Sequence, residues 1–234
     1  MCDQYLNRII NADCMEILKS LPDKCIDLVL TDPPYGGGSQ GGGGGWLKAS
    51  RSRFGGRFDK YTIKATRTGS TWSKKYQQAD NNIKHWDIAP DAEVFKEIFR
   101  VSKNQIIWGG NYFNLPPTRC FNIWKKLTIS ENFSMAMAEY AWCSFNSNAK
   151  LWEYAPQDSK RFHPTQKPVS LFIRQLEEYS NENDIILDCF SGSGTTAIAC
   201  HRLNRRFICI EKDKEYYEAS VKRLEKEQAQ LTLF

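Results

Sequence analysis

The sequence lacks the cysteine and histidine groupings that hold a metal. Its eight Cys, at positions 2, 14, 25, 120, 143, 189, 200 and 209, form no Cys-x-x-Cys pair, and His85, His163 and His201 stand far apart, with no zinc-ligand spacing. Several cysteines, Cys189 and Cys209 among them, sit inside apolar runs, which predicts reduced core residues rather than disulfides. A long apolar stretch is also missing. The opening MCDQYLNRIINADC has no signal-peptide core, and no window reaches the ~18 consecutive apolar residues of a membrane span, so the expectation is a soluble, cytoplasmic protein. No internal repeat is present. Neither sign of charge dominates: 32 Lys and Arg against 27 Asp and Glu leave a net +5, a surplus too small to argue for a nucleic-acid partner by itself.

What is present suffices for a core. The chain has 234 residues, 41% of them hydrophobic and 13% aromatic, which excludes disorder throughout and fits one α/β domain carrying an insertion. Seven short apolar runs read as strands, beginning near Arg8 (RII), Ile26 (IDLVLT), Gln105 (QIIW), Phe121 (FNIW), Glu139 (EYAWCSF), Asp184 (DIILD) and Phe207 (FICI). Most do not alternate, as expected of strands buried on both faces. Helical spacing lies between them, at Asp91 to Val101, Val169 to Ser180 and Lys214 to Gln228. Strands alternating with helices predict a mostly parallel sheet with helices on both faces.

Gly36 to Asp80 breaks the pattern. It opens with GGGSQGGGGG, stays polar and shows no convincing period, so it reads as a long flexible insertion. Within it, Trp46 to Tyr76 carries nine Lys and Arg and one acid, a net +8 that leaves the rest of the chain at −3. Phe54, Phe58, Tyr61, Trp72 and Tyr76 are interleaved with the cations. Cations with aromatics suit a phosphate backbone and exposed bases; the alternative is a solvated basic loop with no partner. Arg51, Arg53, Arg57, Lys60, Lys74 and Lys75 are the candidate DNA contacts.

Two motifs carry chemistry. Leu187-Asp188-Cys189-Phe190-Ser191-Gly192-Ser193-Gly194-Thr195-Thr196-Ala197 follows a strand and opens a helix. Glycines in such a turn allow unusual backbone angles and close approach of a ligand. The next strand ends at Glu211, where a carboxylate can accept from both hydroxyls of a ribose. Gly192-x-Gly194-x-x-Ala197 also matches the dinucleotide fingerprint formally, so the motif alone leaves the cofactor open. The second motif, Asp32-Pro33-Pro34-Tyr35, ends the strand that starts at Ile26. Its prolines stiffen the turn and restrict Asp32, holding a carboxylate and a ring at fixed separation. Asp32 and the Pro33 carbonyl can accept both hydrogens of an amino group while Tyr35 stacks on a base.

Together these motifs resemble the amino-methyltransferases of DNA, the adenine-N6 and cytosine-N4 family, in which an FxGxG-like motif binds S-adenosylmethionine and a D/N/S-PP-Y/F motif holds the target amino group. The order, DPPY first and the glycine motif late, resembles the permuted β group, and the resemblance spans the chain apart from Gly36 to Asp80. It implies one methyltransferase domain over residues 1–234, of Rossmann-like fold, with a seven-stranded, mostly parallel sheet. It implies S-adenosyl-L-methionine as cofactor. It places Asp13 and Cys14, in the stretch Asn11 to Cys14, by the cofactor adenine. It places Asp188 by the methionine ammonium, Glu211 on the ribose, and Phe190, Gly192, Gly194 and Thr195 in the glycine motif's contacts. His163-Pro164-Thr165-Gln166-Lys167-Pro168 resembles the family's HPTxKP element beside the methionine, which makes Lys167 a cofactor contact. Cys189 departs from the Pro more often found there. Asp32, Pro33, Pro34 and Tyr35 are the catalytic candidates.

The resemblance implies adenine as the target, because the cytosine-N4 group more often has Ser where Asp32 stands. A nicotinamide-dependent oxidoreductase accounts for the glycine turn and Glu211 but leaves DPPY unused and needs further strands downstream. An inert DNA-binding protein that keeps the fold is a third reading. The chain has no room for the separate target-recognition domain of many relatives, so base-sequence recognition is expected from the insertion, from Asn111 to Phe133, or from a second subunit in a homodimer. The final Gln230-Leu231-Thr232-Leu233-Phe234 resembles the QLxLF peptide that docks bacterial proteins on the DNA sliding clamp; packing of Leu231, Leu233 and Phe234 on the domain itself is the alternative.

Overall fold

A computed structural model describes residues 2–36, 88–129, 136–155, 163 and 165–231. The chain divides into two units, Met1–Pro33 with Asp91–Phe234, and Pro34–Pro90. Apart from Gly36, the expected insertion lies outside the described residues. Every helix and strand among the described residues belongs to the first unit.

The strands are β1 (Arg8–Asn11), β2 (Ile26–Thr31), β3 (Ser102–Trp108), β4 (Phe121–Lys126), β5 (Ala138–Cys143), β6 (Lys150–Tyr154), β7 (Ile185–Asp188) and β8 (Arg206–Glu211). The α-helices are α1 (Cys14–Ser20), α2 (Ala92–Val101), α3 (Val169–Tyr179), α4 (Thr195–Arg202) and α5 (Lys214–Leu231). One sheet runs in the order β1-β8-β7-β2-β3-β5-β4-β6. All neighbouring pairs are parallel except those of β5 with β3 and β4. The expected mostly parallel α/β architecture is present, with eight strands rather than seven.

Successive residues of a strand point to opposite faces, and here both faces are buried. Leu28, Leu30, Ile106, Trp108, Ile186, Phe207 and Cys209 pack on one side with Leu171, Phe172 and Leu176 of α3, Ala197 and Ile198 of α4 and Leu224 of α5. Val29, Ile107, Leu187, Ile208 and Ile210 pack on the other with Ile17 and Leu18 of α1 and Val94, Phe95, Ile98 and Val101 of α2. This explains why β2, β3, β7 and β8 read as continuous apolar runs. All eight cysteines are free, and six are buried.

Long-range polar contacts tie helix ends. Arg100 at the end of α2 donates to the carbonyls of Leu18 and Leu21, each at 2.9 Å, adding to the Leu21 amide that already donates to the Leu18 carbonyl at the end of α1. Asp213 caps α5, its carboxylate accepting from the Glu215 and Tyr216 amides at 2.9 and 3.1 Å. That helix continues through Gln230 and Leu231, so the first two residues of the expected clamp peptide are helical. Leu233 and Phe234 lie outside the described residues.

Candidate active site

β1, β8, β7 and β2 run parallel, so their C-terminal ends share one edge of the sheet. β2 leads through α2 to β3 on one side and β7 leads through α4 to β8 on the other. The gap between β7 and β2 is therefore a topological switch point, where open α/β sheets bind ligands. The glycine motif leaves β7 here and Asp32 follows β2. The Thr31 hydroxyl donates to Asp188 Oδ1 at 2.8 Å, so the residue just before the target motif is bonded to the glycine motif.

The glycine turn is shaped by backbone conformation. Gly192 has φ 50° and Gly194, which precedes α4, has φ 74°, values that side chains with a Cβ disfavour. A Cβ on Gly192 would lie 3.3 Å from the His163 Nε2, and one on Gly194 would lie 3.1 Å from the Ser220 Cβ. The His163 ring also meets Tyr216 edge-on, with centroids 4.3 Å apart, which seats the HPTQKP segment against the turn. Glu211 closes the turn from β8: its carboxylate accepts from the Gly192 amide at 2.7 Å and the Asp213 amide at 2.8 Å. Burial pushes its carboxyl above the usual value against the pull of those amides.

Asp13 caps α1 by accepting from the Met15 amide at 2.9 Å and pairs with Lys212 at 2.9 Å. Lys212 and that amide hold its carboxyl below the usual value. Cys14 faces the core, and burial, with the Asp13 charge, pushes its thiol up to about 11. A glycine cradle and two carboxylates at the ends of adjacent strands suit a nucleoside cofactor. A carboxylate has about four lone-pair positions, so the amides on Glu211 leave capacity for hydroxyl donors. Thr195 and Phe190 complete the turn. The Thr195 hydroxyl donates to the Lys167 carbonyl at 3.3 Å, and the Phe190 amide donates to Asp188 at 3.1 Å.

Asp188, expected by the methionine ammonium, stands at the end of β7. Its carboxylate is turned into the protein, accepting from Thr31, from the Thr196 hydroxyl and from the Phe190 amide. Burial pushes its carboxyl up to about 6, with those donors pulling the other way. Asp188 thus fastens the turn to β2.

Lys167, expected as a cofactor contact, reaches toward Asp32. The residue is 5% exposed, and its ammonium forms an ion pair with Asp32. It lies 3.2 Å from Glu139 on β5 and 5.0 Å from the centre of the Trp108 ring. Glu139 also pairs with Lys126 of β4 at 2.5 Å. Burial disfavours the ionised Glu139, but Lys167 and Lys126 outweigh it and draw the carboxyl down to about 2. Burial likewise opposes the Lys167 charge, and Asp32 and Glu139 prevail, raising its value. In the sequence Glu139 stands only as the start of a strand and Lys126 lies just past the FNIW run; neither carries a signal for this network.

Pro33 is buried at the end of the first unit. Pro34 and Tyr35 belong to the second unit, each partly buried. Arg51, Arg53, Arg57, Lys60, Lys74 and Lys75 lie outside the described residues. Among the described residues no group of three or more His, Cys, Asp or Glu could hold a metal ion, and no helix is long and apolar enough to cross a membrane.

The fold is that of the S-adenosylmethionine-dependent methyltransferases. Two solved structures share it. The M1.HpyAVI–SAM complex is 22% identical with a TM-score of 0.56, over 93% of this chain and 98% of that one. The PvuII DNA methyltransferase (cytosine-N4-specific) is 15% identical with a TM-score of 0.57, over 94% and 89%. In sequence, the Type II methyltransferase M.HinfI of Haemophilus influenzae is 27% identical over 261 residues, 95% of this chain and 69% of that protein. The Type II methyltransferase M2.LlaDCHI of Lactococcus lactis subsp. cremoris is 27% identical over 93% of this chain and 89% of its own. The family model for N6/N4 methyltransferases, described as DNA methylase, matches residues 58–222. The chain belongs to this family of DNA methyltransferases and uses S-adenosyl-L-methionine as methyl donor.

Proposed function

We propose that the chain methylates the exocyclic N6 of an adenine turned out of the DNA stack. The observation that carries this reading is the carboxylate of Asp32 standing at the end of β2, which the Thr31 bond to Asp188 joins to the glycine turn. Asp rather than Ser at position 32 supports adenine over cytosine N4, as the family resemblance implies. Asp32 and the Pro33 carbonyl accept the two amino hydrogens, and Tyr35, three residues on, supplies a ring for stacking, a contact worth ~1–3 kcal/mol. Drawing both hydrogens into hydrogen bonds aims the nitrogen lone pair away from the ring. The bound sulfonium supplies an electrophilic methyl and leaves as a thioether. The nitrogen forms the new N–C bond, becomes acidic and releases its proton to water, so the protein supplies alignment and electrostatics rather than a general base.

The cofactor side rests on Gly192, Gly194, Phe190, Thr195 and Glu211, with Asp13 and Cys14 at the head of α1. The basic insertion, through Arg51, Arg53, Arg57, Lys60, Lys74 and Lys75, contacts the DNA backbone and helps hold the extruded nucleotide. The test is methyl transfer from labelled S-adenosylmethionine to mixed-sequence DNA, followed by digestion and nucleoside mass analysis. N6-methyladenine is expected. N4-methylcytosine would replace the adenine reading, and no labelled nucleoside would remove the activity altogether.

A further inference from the structure

We propose that Lys167 is a positioning residue for the target carboxylate Asp32 rather than a cofactor ligand, held in that task by Glu139 and Lys126. The assignment rests on the proposed reaction at Asp32 and deepens it. The Lys167 side chain spans the two halves of the site. At its root, the main-chain carbonyl accepts from the Thr195 hydroxyl at the mouth of α4, and Pro168 behind it restricts the backbone to extended angles. At its head, the ammonium pairs with Asp32. The distance from the glycine turn to the target carboxylate is thereby set through one side chain.

The surroundings of the ammonium favour the target side. Among the described residues, the charged groups that face it are Asp32 beyond β2 and Glu139 on β5, with Lys126 of β4 behind Glu139. Asp188 at the end of β7 feels the Asp32 charge. Two carboxylates and the face of Trp108 already surround this cation, which leaves a third carboxylate, that of a methionine, no charge to neutralise. Charge alternates along the row Asp32, Lys167, Glu139, Lys126. Such a row keeps a nearly buried ammonium in place, because each ion offsets the desolvation of its neighbour.

The chemical consequence is specific. An ammonium in contact keeps a carboxylate ionised and makes it a poor proton acceptor. Asp32 then orients the amino group without removing its proton, and the proton leaves only after the N–C bond has formed. A carboxylate has acceptor capacity for the ammonium and an amino group together.

The test uses the full chain with DNA and S-adenosylmethionine. Single-turnover transfer at saturating cofactor is followed from about pH 5 to 9, and cofactor Kd is measured separately, for wild type, Lys167→Met, Lys167→Arg and Glu139→Gln. Lys167→Met is expected to slow transfer about tenfold or more and to move the acid limb of the profile to higher pH, with cofactor Kd within about twofold of wild type. Lys167→Arg should restore the acid limb and most of the rate, and Glu139→Gln, which removes a negative charge near Asp32 and leaves Lys167 to Asp32 alone, should move the limb to lower pH. If Lys167→Met does not fold, a limb displaced to lower pH in Glu139→Gln beside a normal one in Lys167→Arg supports the assignment, and unchanged limbs in both overturn it. A Lys167→Met chain that loses cofactor affinity while keeping the wild-type rate and limb also overturns it. A wild-type chain that transfers no methyl overturns the proposed function and this assignment together, whereas an active wild type with an indifferent Lys167→Met overturns the assignment alone.

Discussion

The Thr31 hydroxyl donates to the Asp188 carboxylate at 2.8 Å, joining residues 157 positions apart in the chain. The bond locks the end of β2, which carries the target motif, to the end of β7, which carries the cofactor turn. Parallel pairing aligns these strands, with Leu28 opposite Ile186 and Val29 opposite Leu187. The hydroxyl and carboxylate then fix the register of the two loops beyond them. A buried carboxylate in this role has a measurable cost in stability.

Asp188 has its carboxyl pushed from the usual 3.8 to about 6 by burial. Between about pH 4 and 6 the unfolded chain gives up a proton that the folded chain keeps, so stability falls as pH rises through that window. The penalty is absent below it and complete above it, on the order of 3 kcal/mol. Asp188→Asn does not titrate, so its stability relative to wild type should improve steadily from pH 4 to pH 6 and then level. Denaturant unfolding at several pH values checks this; a pH-independent difference would show that the buried carboxyl does not titrate in this window.

Gly194→Ala and Gly192→Ala should separate folding from binding. Both positions have left-handed backbone, where alanine costs about 1–2 kcal/mol. At Gly194 the new methyl also meets Ser220, whose backbone carbonyl lies 3.6 Å away, whereas at Gly192 the nearest atoms are those of the His163 ring. Gly194→Ala is expected to lower Tm more, and Gly192→Ala to weaken cofactor binding more than its drop in Tm suggests. Thermal melts with and without S-adenosylmethionine distinguish the two; equal effects on binding and stability at both positions would contradict it.

The parallel core was legible because its strands are buried on both faces and read as unbroken apolar runs. β6 was not: Lys150, Leu151, Trp152, Glu153 and Tyr154 alternate partly buried with exposed residues at the sheet's edge, which leaves a weak pattern. At seven residues, α1 is too short to show a period. The glycine turn, Glu211 and Asp32 were legible because local chemistry dictates them. The partners of Lys167 were not, since Glu139 and Asp32 reach it from separate strands and only the fold sets that distance. The inward turn of Asp188 was equally hidden, because nothing local marks Thr31 and Thr196 as its donors.

Removing residues 37–75 should weaken DNA binding and spare the cofactor. The segment carries a net +8 against +5 for the whole chain, and every Lys or Arg withdrawn from a phosphate flattens the dependence of affinity on salt. Binding titrations at several salt concentrations should give a lower affinity and a shallower slope than the intact chain, with unchanged cofactor Kd. Equal DNA affinity and slope would exclude the insertion as the DNA contact.

The most direct test of Asp32 as the residue that aligns the target amino group is single-turnover methyl transfer by Asp32→Ala, measured beside its cofactor Kd on protein shown to be folded. Transfer should be abolished while the Kd stays within about twofold of wild type. Transfer at a rate close to wild type would contradict the account.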